Sequence, residues 1–463
     1  MHQADSIPVP VASCANLPIA ARLGRATQRN PRVITRIQWT VVALYLFLLL
    51  VPVLLPLPGP DAHILDNLSL LARFLFWGVG WPLIMLSMML FGRVWCGLFC
   101  PDGTLTEYVS RRGRKRSIPR WIRWSGWPLV MLAGTTVYGQ LVGVYEFAPA
   151  TLLLLGLPTL GALLTGFLYG NGKRVWCMYL CPANGVFSLL AKIAPLHFRV
   201  DQEQWKRHSG PPPRIDCAPL VNIRQMKSAS ACHACGRCGG YTDAVDLAVR
   251  APDREILASG NRDVTTAEAL VLLFGVIGIC TAAMQWAGHP LFILLQSALP
   301  DWLSRIGALA LSQPGPWWVL ANYPELNAVY GLNDGLCMLI FMVGGGSLLG
   351  LVALATVWLA ASLADDAGLR WQRLALGLIP AAGIGLFLGL STLTVKFLRM
   401  EGLALQWVAP VQAILLAAGS LFSFWLGARL ILTRLSLRRL LATAVFMLPV
   451  ALLQHVWAVR LFA

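Results

Sequence analysis

Charge is the scarcest ingredient of this sequence. Only 13% of its 463 residues are Asp, Glu, Lys or Arg, about half of the roughly 25% usual in soluble domains. Length alone would allow two or three soluble domains, and the shortage of charge excludes them. Acid is scarcer still, with 21 Asp and Glu against 37 Lys and Arg and a net charge of +16. No C-x-x-C-H occurs, which excludes covalent c-type haem attachment. No G-x-G-x-x-G opens a helix after a strand and no G-x4-G-K-[ST] occurs, so no nucleotide-site signature is present. Residues 1–38 lack the basic-then-apolar order of a signal peptide. Val11-Ala12-Ser13-Cys14 looks like a lipoprotein cleavage box with no apolar segment before it. Cys14 therefore reads as incidental, and residues 1–38 as a flexible cytoplasmic arm.

Apolar residues fill the space that charge leaves, at 57% of the chain. Runs of about 20 residues with few charges recur, the length needed to cross a bilayer. Nine spans are expected, near 39–57, 73–92, 125–145, 150–170, 264–286, 333–360, 374–394, 408–432 and 440–459. The fold class is an all-α polytopic membrane protein with a small ferredoxin-like iron–sulfur segment beside it. Four blocks follow: the arm 1–38, a duplicated membrane block 39–182, a cysteine-rich segment 183–263 and a five-helix membrane block 264–463. The segment 287–332, with Trp302, Trp317 and Trp318, suits an amphipathic piece at the interface. Gly346/Gly350 and Gly385/Gly389 suit close helix packing.

The cations are unevenly placed. Of the 37 Lys and Arg, 32 fall in the segments that this span pattern puts on one side. That is the positive-inside pattern, with the N-terminus in the cytoplasm and the C-terminus outside. It assigns the excess positive charge to a membrane rather than to nucleic acid. The densest run, Arg111 to Arg123, reads first as an anchor to anionic headgroups. Its sharper reading is a docking patch for an acidic electron carrier.

Eleven cysteines are many for such a chain. Arg93-Val94-Trp95-Cys96 with Cys100-Pro101 returns as Arg174-Val175-Trp176-Cys177 with Cys181-Pro182, at an offset of 81. Each copy follows a helical hairpin, so the unit of duplication is a hairpin plus R-V-W-C-x3-C-P. The C-x3-C-P piece ends the iron–sulfur run of bacterial ferredoxins. Cys217 and the C-x2-C-x2-C of Cys232, Cys235 and Cys238 lie on the same predicted side. A reducing compartment favours metal ligation over disulfides, and thiolate sulfur suits iron–sulfur clusters.

Eight cysteines, four per cubane, give two [4Fe–4S] clusters. The position where a fourth cysteine of the ferredoxin run would stand is Thr242. Either Cys217 completes the triad and Cys96, Cys100, Cys177 and Cys181 share the second cluster, or Cys100 or Cys181 crosses over. A structural zinc site and dithiol redox chemistry are the other uses of such thiols. Cys280 and Cys337 sit inside spans and read as small buried apolar residues.

These twin motifs, set after helical hairpins and before a cysteine-rich segment, resemble the membrane polyferredoxins of bacteria. That family includes the membrane quinol-dehydrogenase component of periplasmic nitrate reduction. It also includes a regulator-like protein of nitrous oxide reduction and a copper-reducing assembly factor of cbb3-type oxidases. The resemblance covers about residues 70–250. It implies electron transfer at the bacterial inner membrane and names neither donor nor acceptor. The C-x2-C-x2-C-x3-C-P runs of several relatives are absent, and the last five spans have no counterpart.

The expected function is an iron–sulfur electron-transfer protein. It takes electrons from a cytoplasmic donor (a flavoprotein or ferredoxin-like protein) or quinol and passes them to a membrane or periplasmic acceptor. Copper reduction during oxidase assembly and a non-redox assembly role are the alternatives. A hydrocarbon layer of about 30 Å separates the cysteines from the far side. His289 and His455, both expected near the far side, are candidates there for haem b, copper or a quinone. Such histidines are more often structural.

Overall fold

The computed structural model describes residues 18–59, 61–208, 215–226, 228–305, 313–364 and 369–462. Cys14 and Pro211-Pro212-Pro213 lie outside the described residues. In hydrocarbon every backbone N–H and C=O must be satisfied internally, and the helix does this within one segment. Among the described residues, eight helices are long and apolar enough to cross a membrane. In chain order the larger helices are α1 (Ile19–Arg29), α2 (Pro31–Leu54), α3 (Leu68–Phe91) and α4 (Pro101–Arg112). Next come α5 (Trp127–Leu141), α6 (Ala148–Tyr169), α7 (Thr266–Gln285) and α8 (Pro290–Arg305). Last are α9 (Leu332–Leu363), α10 (Trp371–Met400), α11 (Val408–Ile431) and α12 (Leu437–Phe462).

The expected third span falls short. α5 has 15 residues, about 22 Å at 1.5 Å per residue, against a core of about 30 Å. Gly126 and Pro128 set its start, and Gly143, at φ +68°, turns the chain just beyond its end. Eight helices rather than nine therefore have spanning length. α5 still reaches the far side, where Tyr138 Oη donates to Trp318 O (2.7 Å) and Ala321 N to Leu141 O (2.8 Å).

Polar ties collect at the two ends of the bundle. At the far end Glu401 takes His63 Nδ1 (3.2 Å) and Ile64 N (2.7 Å), Arg73 donates to Tyr145 O (3.2 Å), and Lys396 meets Glu146 (3.3 Å). At the end bearing the cysteine motifs, Arg370 N reaches Asn261 (3.2 Å), Arg373 reaches Leu257 O (3.0 Å) and Arg439 reaches Ala364 O (3.3 Å). Between these ends the packing is mostly apolar, with a few internal ties such as Ser423 Oγ accepting from Ala381 N (2.9 Å). α10 is the hub, with 83% of its apolar stretch buried.

The small-residue pairs serve packing, as their spacing suggests. A Cβ on Gly278 of α7 would come within 2.4 Å of Gly346 O on α9. Trp457 of α12 fills the space over Gly385 and Gly389. Cys280 and Cys337 are buried in these helices. Trp302, Trp317 and Trp318 are exposed on and after α8.

The cysteine-rich segment is held by a two-stranded antiparallel hairpin of β1 (Leu196–Val200) and β2 (Val245–Val249). Arg250 ties this hairpin to the turn before it, through the carbonyls of Ala191, Lys192 and Ala194, and to Glu255 by an ion pair. Glu255 also accepts from Ser228 and Ala229 N. The N-terminal arm departs from expectation over Ile19–Arg29. This stretch is the amphipathic helix α1, laid against β2 and the cysteine loop. Arg25 forks onto Asp246 (2.9 and 3.1 Å) and reaches Asp243 (3.2 Å). A basic run with no acid nearby in sequence finds its acids some 220 residues away in sequence.

Candidate metal centre

The duplication in sequence is a duplication in geometry. Cys100 N donates to Trp95 O, and Cys181 N to Trp176 O, both at 2.9 Å. Gly97 N and Met178 N likewise donate to the carbonyls of Arg93 and Arg174, both at 3.2 Å. Cys100 is the N-cap of α4, with Pro101 in the first turn, where the missing N–H costs nothing. Its sulfur accepts from Gly103 N at 3.4 Å.

The eight cysteines part into two fours. Burial is the main force raising the Cys100 thiol well above its ordinary pKa, with Asp102 and then the charges of Cys177, Cys96 and Cys181 adding to it. Burial likewise raises Cys177, with Cys181 and Cys96 contributing, and pushes Cys181 to about 12, with Cys96 contributing. In the other group, burial raises Cys232 to about 12, with Cys235 and Cys217 adding. Cys238 rises by burial and by Cys232, Cys235 and Cys217; Cys217 rises by burial and by Cys235. For Cys100, Cys177, Cys181, Cys217, Cys232 and Cys238 the cysteines that act on each come from its own four. All eight are free thiols.

Buried thiols that oppose one another's ionisation are poor thiolates alone. A bound metal reverses this and deprotonates them outright. The donor set is all sulfur, which suits an iron–sulfur cluster. Among the described residues, no three His, Cys, Asp or Glu converge closely enough for a single metal ion. A cubane takes its ligands at four corners, a wider spread than one ion requires.

Several buried polar atoms on and beside the cysteine motifs have no partner among the described residues: Arg93 Nε, Trp176 Nε1 and both ring nitrogens of His233. Buried polar atoms are rarely left so, and the sulfur of a cluster is an acceptor that would satisfy their N–H groups. The residues therefore fit the group that the cysteine pattern implies.

Two arginines cross-brace the copies. Arg93, from the first, donates to Asn184 Oδ1 beyond the second motif (2.7 Å), to Ser230 O before the C-x2-C-x2-C loop (2.7 Å), and lies 3.9 Å from Cys96 Sγ. Arg174, from the second, donates to Cys96 O in the first (2.5 Å) and to Glu107 Oε2 (2.9 Å). Glu107 also takes Arg237 (2.7 Å) and Arg111 (2.8 Å). Although burial works against its ionisation, Arg174 and Arg237 together hold this carboxyl below the ordinary carboxylate range. Gly97 closes the gap between the groups: a Cβ there would sit 2.1 Å from His233 O and 2.8 Å from Cys235 Cα. The two fours are in backbone contact.

Sequence reading passed over Arg93, Arg174, Glu107, Gly97 and His233. The signal for the arginines was in view, since each opens a copy of the repeat. Within the run 111–123, Arg111 and Arg112 are spent partly on their own helix, on Glu107 and the Tyr108 ring. The far-side histidines are not drawn into a site. His289 Nδ1 accepts from Leu291 N (3.2 Å) and its ring rests on Phe341, while His455 is exposed on α12.

Comparison with known proteins adds the following. A 4Fe–4S binding domain is matched by residues 74–119 and 150–200, one copy of the repeat in each segment. Protein RdxA of Cereibacter sphaeroides is 28% identical over 236 residues, 39% of this chain and 49% of that protein. The putative electron transport protein YccM of Escherichia coli is 23% identical over 253 residues, 48% of this chain and 67% of that protein. The matched part thus spans about half the length of the first relative and two thirds of the second. No solved structure matches the chain.

Proposed function

We propose that this multi-helix chain, which matches a 4Fe–4S binding domain twice and is similar to RdxA and the putative electron transport protein YccM, is a membrane polyferredoxin that moves electrons through two [4Fe–4S] clusters. Cys96, Cys100, Cys177 and Cys181 hold one. Cys217, Cys232, Cys235 and Cys238 hold the other. The division of the thiols into these fours carries the reading, and it favours Cys217 as the fourth ligand over a crossing by Cys100 or Cys181. Bound clusters supply one-electron carriers at fixed positions. The chain supplies their spacing: Gly97 against the Cys235 backbone keeps the sites adjacent and the electron step between them short.

The proposed sidedness rests on charge. The motif end carries the bulk of the Lys and Arg, so it faces the cytoplasm of a bacterial inner membrane. Electrons enter there from a cytoplasmic donor protein or from quinol, with the exposed part of 111–123 as the docking face. They leave to a membrane or periplasmic acceptor.

The test is iron and acid-labile sulfide in protein purified without oxygen, with EPR on the reduced sample. About eight of each per chain is expected for two cubanes. About four would leave one cluster and free the twin motifs for thiol or copper work. Zinc or copper in place of iron would end the electron-carrier reading.

A further inference from the structure

The two cysteine groups meet at a polar seam. His233 is 1% exposed, sits between Cys232 and Ala234, and has neither ring nitrogen bonded. Arg93 and Arg174 are 3% and 1% exposed. Gly97 joins the three: its N donates to Arg93 O (3.2 Å), the Cys96 carbonyl before it takes Arg174 (2.5 Å), and a Cβ on it would lie 2.1 Å from His233 O. Arg93 acts on Cys181 and Cys232, and Arg174 on Cys177 and Cys235. Arg93 also lies 3.9 Å from Cys96 Sγ, and each arginine thus faces both fours.

We propose, resting on the two-cluster reading, that Arg93, Arg174 and His233 form a shared wall between the cluster sites that raises the reduction potential of both. Each one-electron reduction adds one negative charge to a site that already holds four thiolates. A buried cation beside that site favours the added charge, and the interior screens it far less than water would. N–H donors to cluster sulfur act in the same direction. Arg93 Nε and one nitrogen of the neutral His233 are unspent donors at the seam.

The arginines also anchor the backbone, so a loss of activity alone would not separate tuning from structure. Glu107 supplies the separation. It cancels part of the Arg174 charge (2.9 Å), so removing its charge while keeping its shape must move the potential the other way.

The experiment is a redox titration of the full-length protein in detergent. Dithionite is the reductant, with mediators, and each cluster is followed by EPR. Arg93→Met and Arg174→Met are expected to lower both midpoints, by about tenfold in the reduction equilibrium, or about 59 mV for one electron. Arg93→Lys and Arg174→Lys restore most of the shift, and His233→Leu gives a smaller drop. Glu107→Gln raises the midpoints. Unmoved midpoints in iron-replete Arg174→Met, or in Glu107→Gln should Arg174→Met fail to take up iron, overturn the proposal and leave the two-cluster reading standing. A wild-type protein without iron overturns that reading instead.

Discussion

Cys96 and Cys217 each belong to a different four, and replacing them one at a time separates the pairing schemes. Cys96→Ser is expected to lower iron from about eight to about four per chain and to spare the signal of the cluster in the C-x2-C-x2-C loop. Cys217→Ser is expected to do the converse. Two clusters surviving in Cys217→Ser would mean that a Cys-Pro cysteine crosses to the triad. At this scale the sequence was legible wherever chemistry depends on residue type and spacing. The eight cysteines stood out because a C-x3-C-P repeated at a fixed offset has few other uses. Arg93, Arg174 and His233 did not stand out, because their importance lies in burial and in facing two loops at once. An arginine that is 1% exposed reads in sequence like any other cation near a membrane face. His289 and His455 show the converse, being singled out by their expected depth and then found apart from any cluster of ligands among the described residues.

Elements hold the two fours together, and two contacts decide how firmly. Gly97 lies so close to His233 O and the Cys235 backbone that no side chain fits. Gly97→Ala must push backbone against backbone, at a cost of about 1–3 kcal/mol. Iron retention in the C-x2-C-x2-C loop should fall, with the cluster lost sooner on mild warming. Unchanged retention would mean that the seam can open without consequence. The second contact is α1. Its fork from Arg25 to Asp246 closes the cysteine loop from outside, and hydrogen bonds to charged groups are worth about 1.5–3 kcal/mol. Arg25→Ala should expose the 19–30 stretch to protease while leaving the membrane block intact; equal cleavage of both proteins would sink this. Sequence reading took that stretch for a free arm, because its partners Asp243 and Asp246 lie beyond four helices of the membrane block, α2, α3, α5 and α6. The hairpins and most spans were legible, since apolar length is a local property. The shortness of α5 was less so, because it depends on where Gly143 turns the chain.

The whole molecule is an asymmetric object in charge. The motif end is dense in arginine and lysine, and the far end keeps few cations. Of these, Arg73 is bonded to Tyr145 O and Lys396 is paired with Glu146. A chain inserted by the positive-inside rule places its arginine-rich end in the cytoplasm, and all eight candidate ligands go with it. α1 packs on the cysteine loop and α2 runs straight on from it, so the N-terminal part of the described chain cannot sit on the opposite side from the motifs. Sidedness is then a single choice for the whole assembly, and one reagent can read it. Dithionite does not cross bilayers, so it should reduce the clusters promptly in inverted vesicles and slowly in right-side-out vesicles until the membrane is broken. The reverse order would put the motifs outside the cytoplasm and make the donor a periplasmic one. Equal rates in both would mean that electrons cross the roughly 30 Å of hydrocarbon, and the search would turn to a carrier bound inside the bundle.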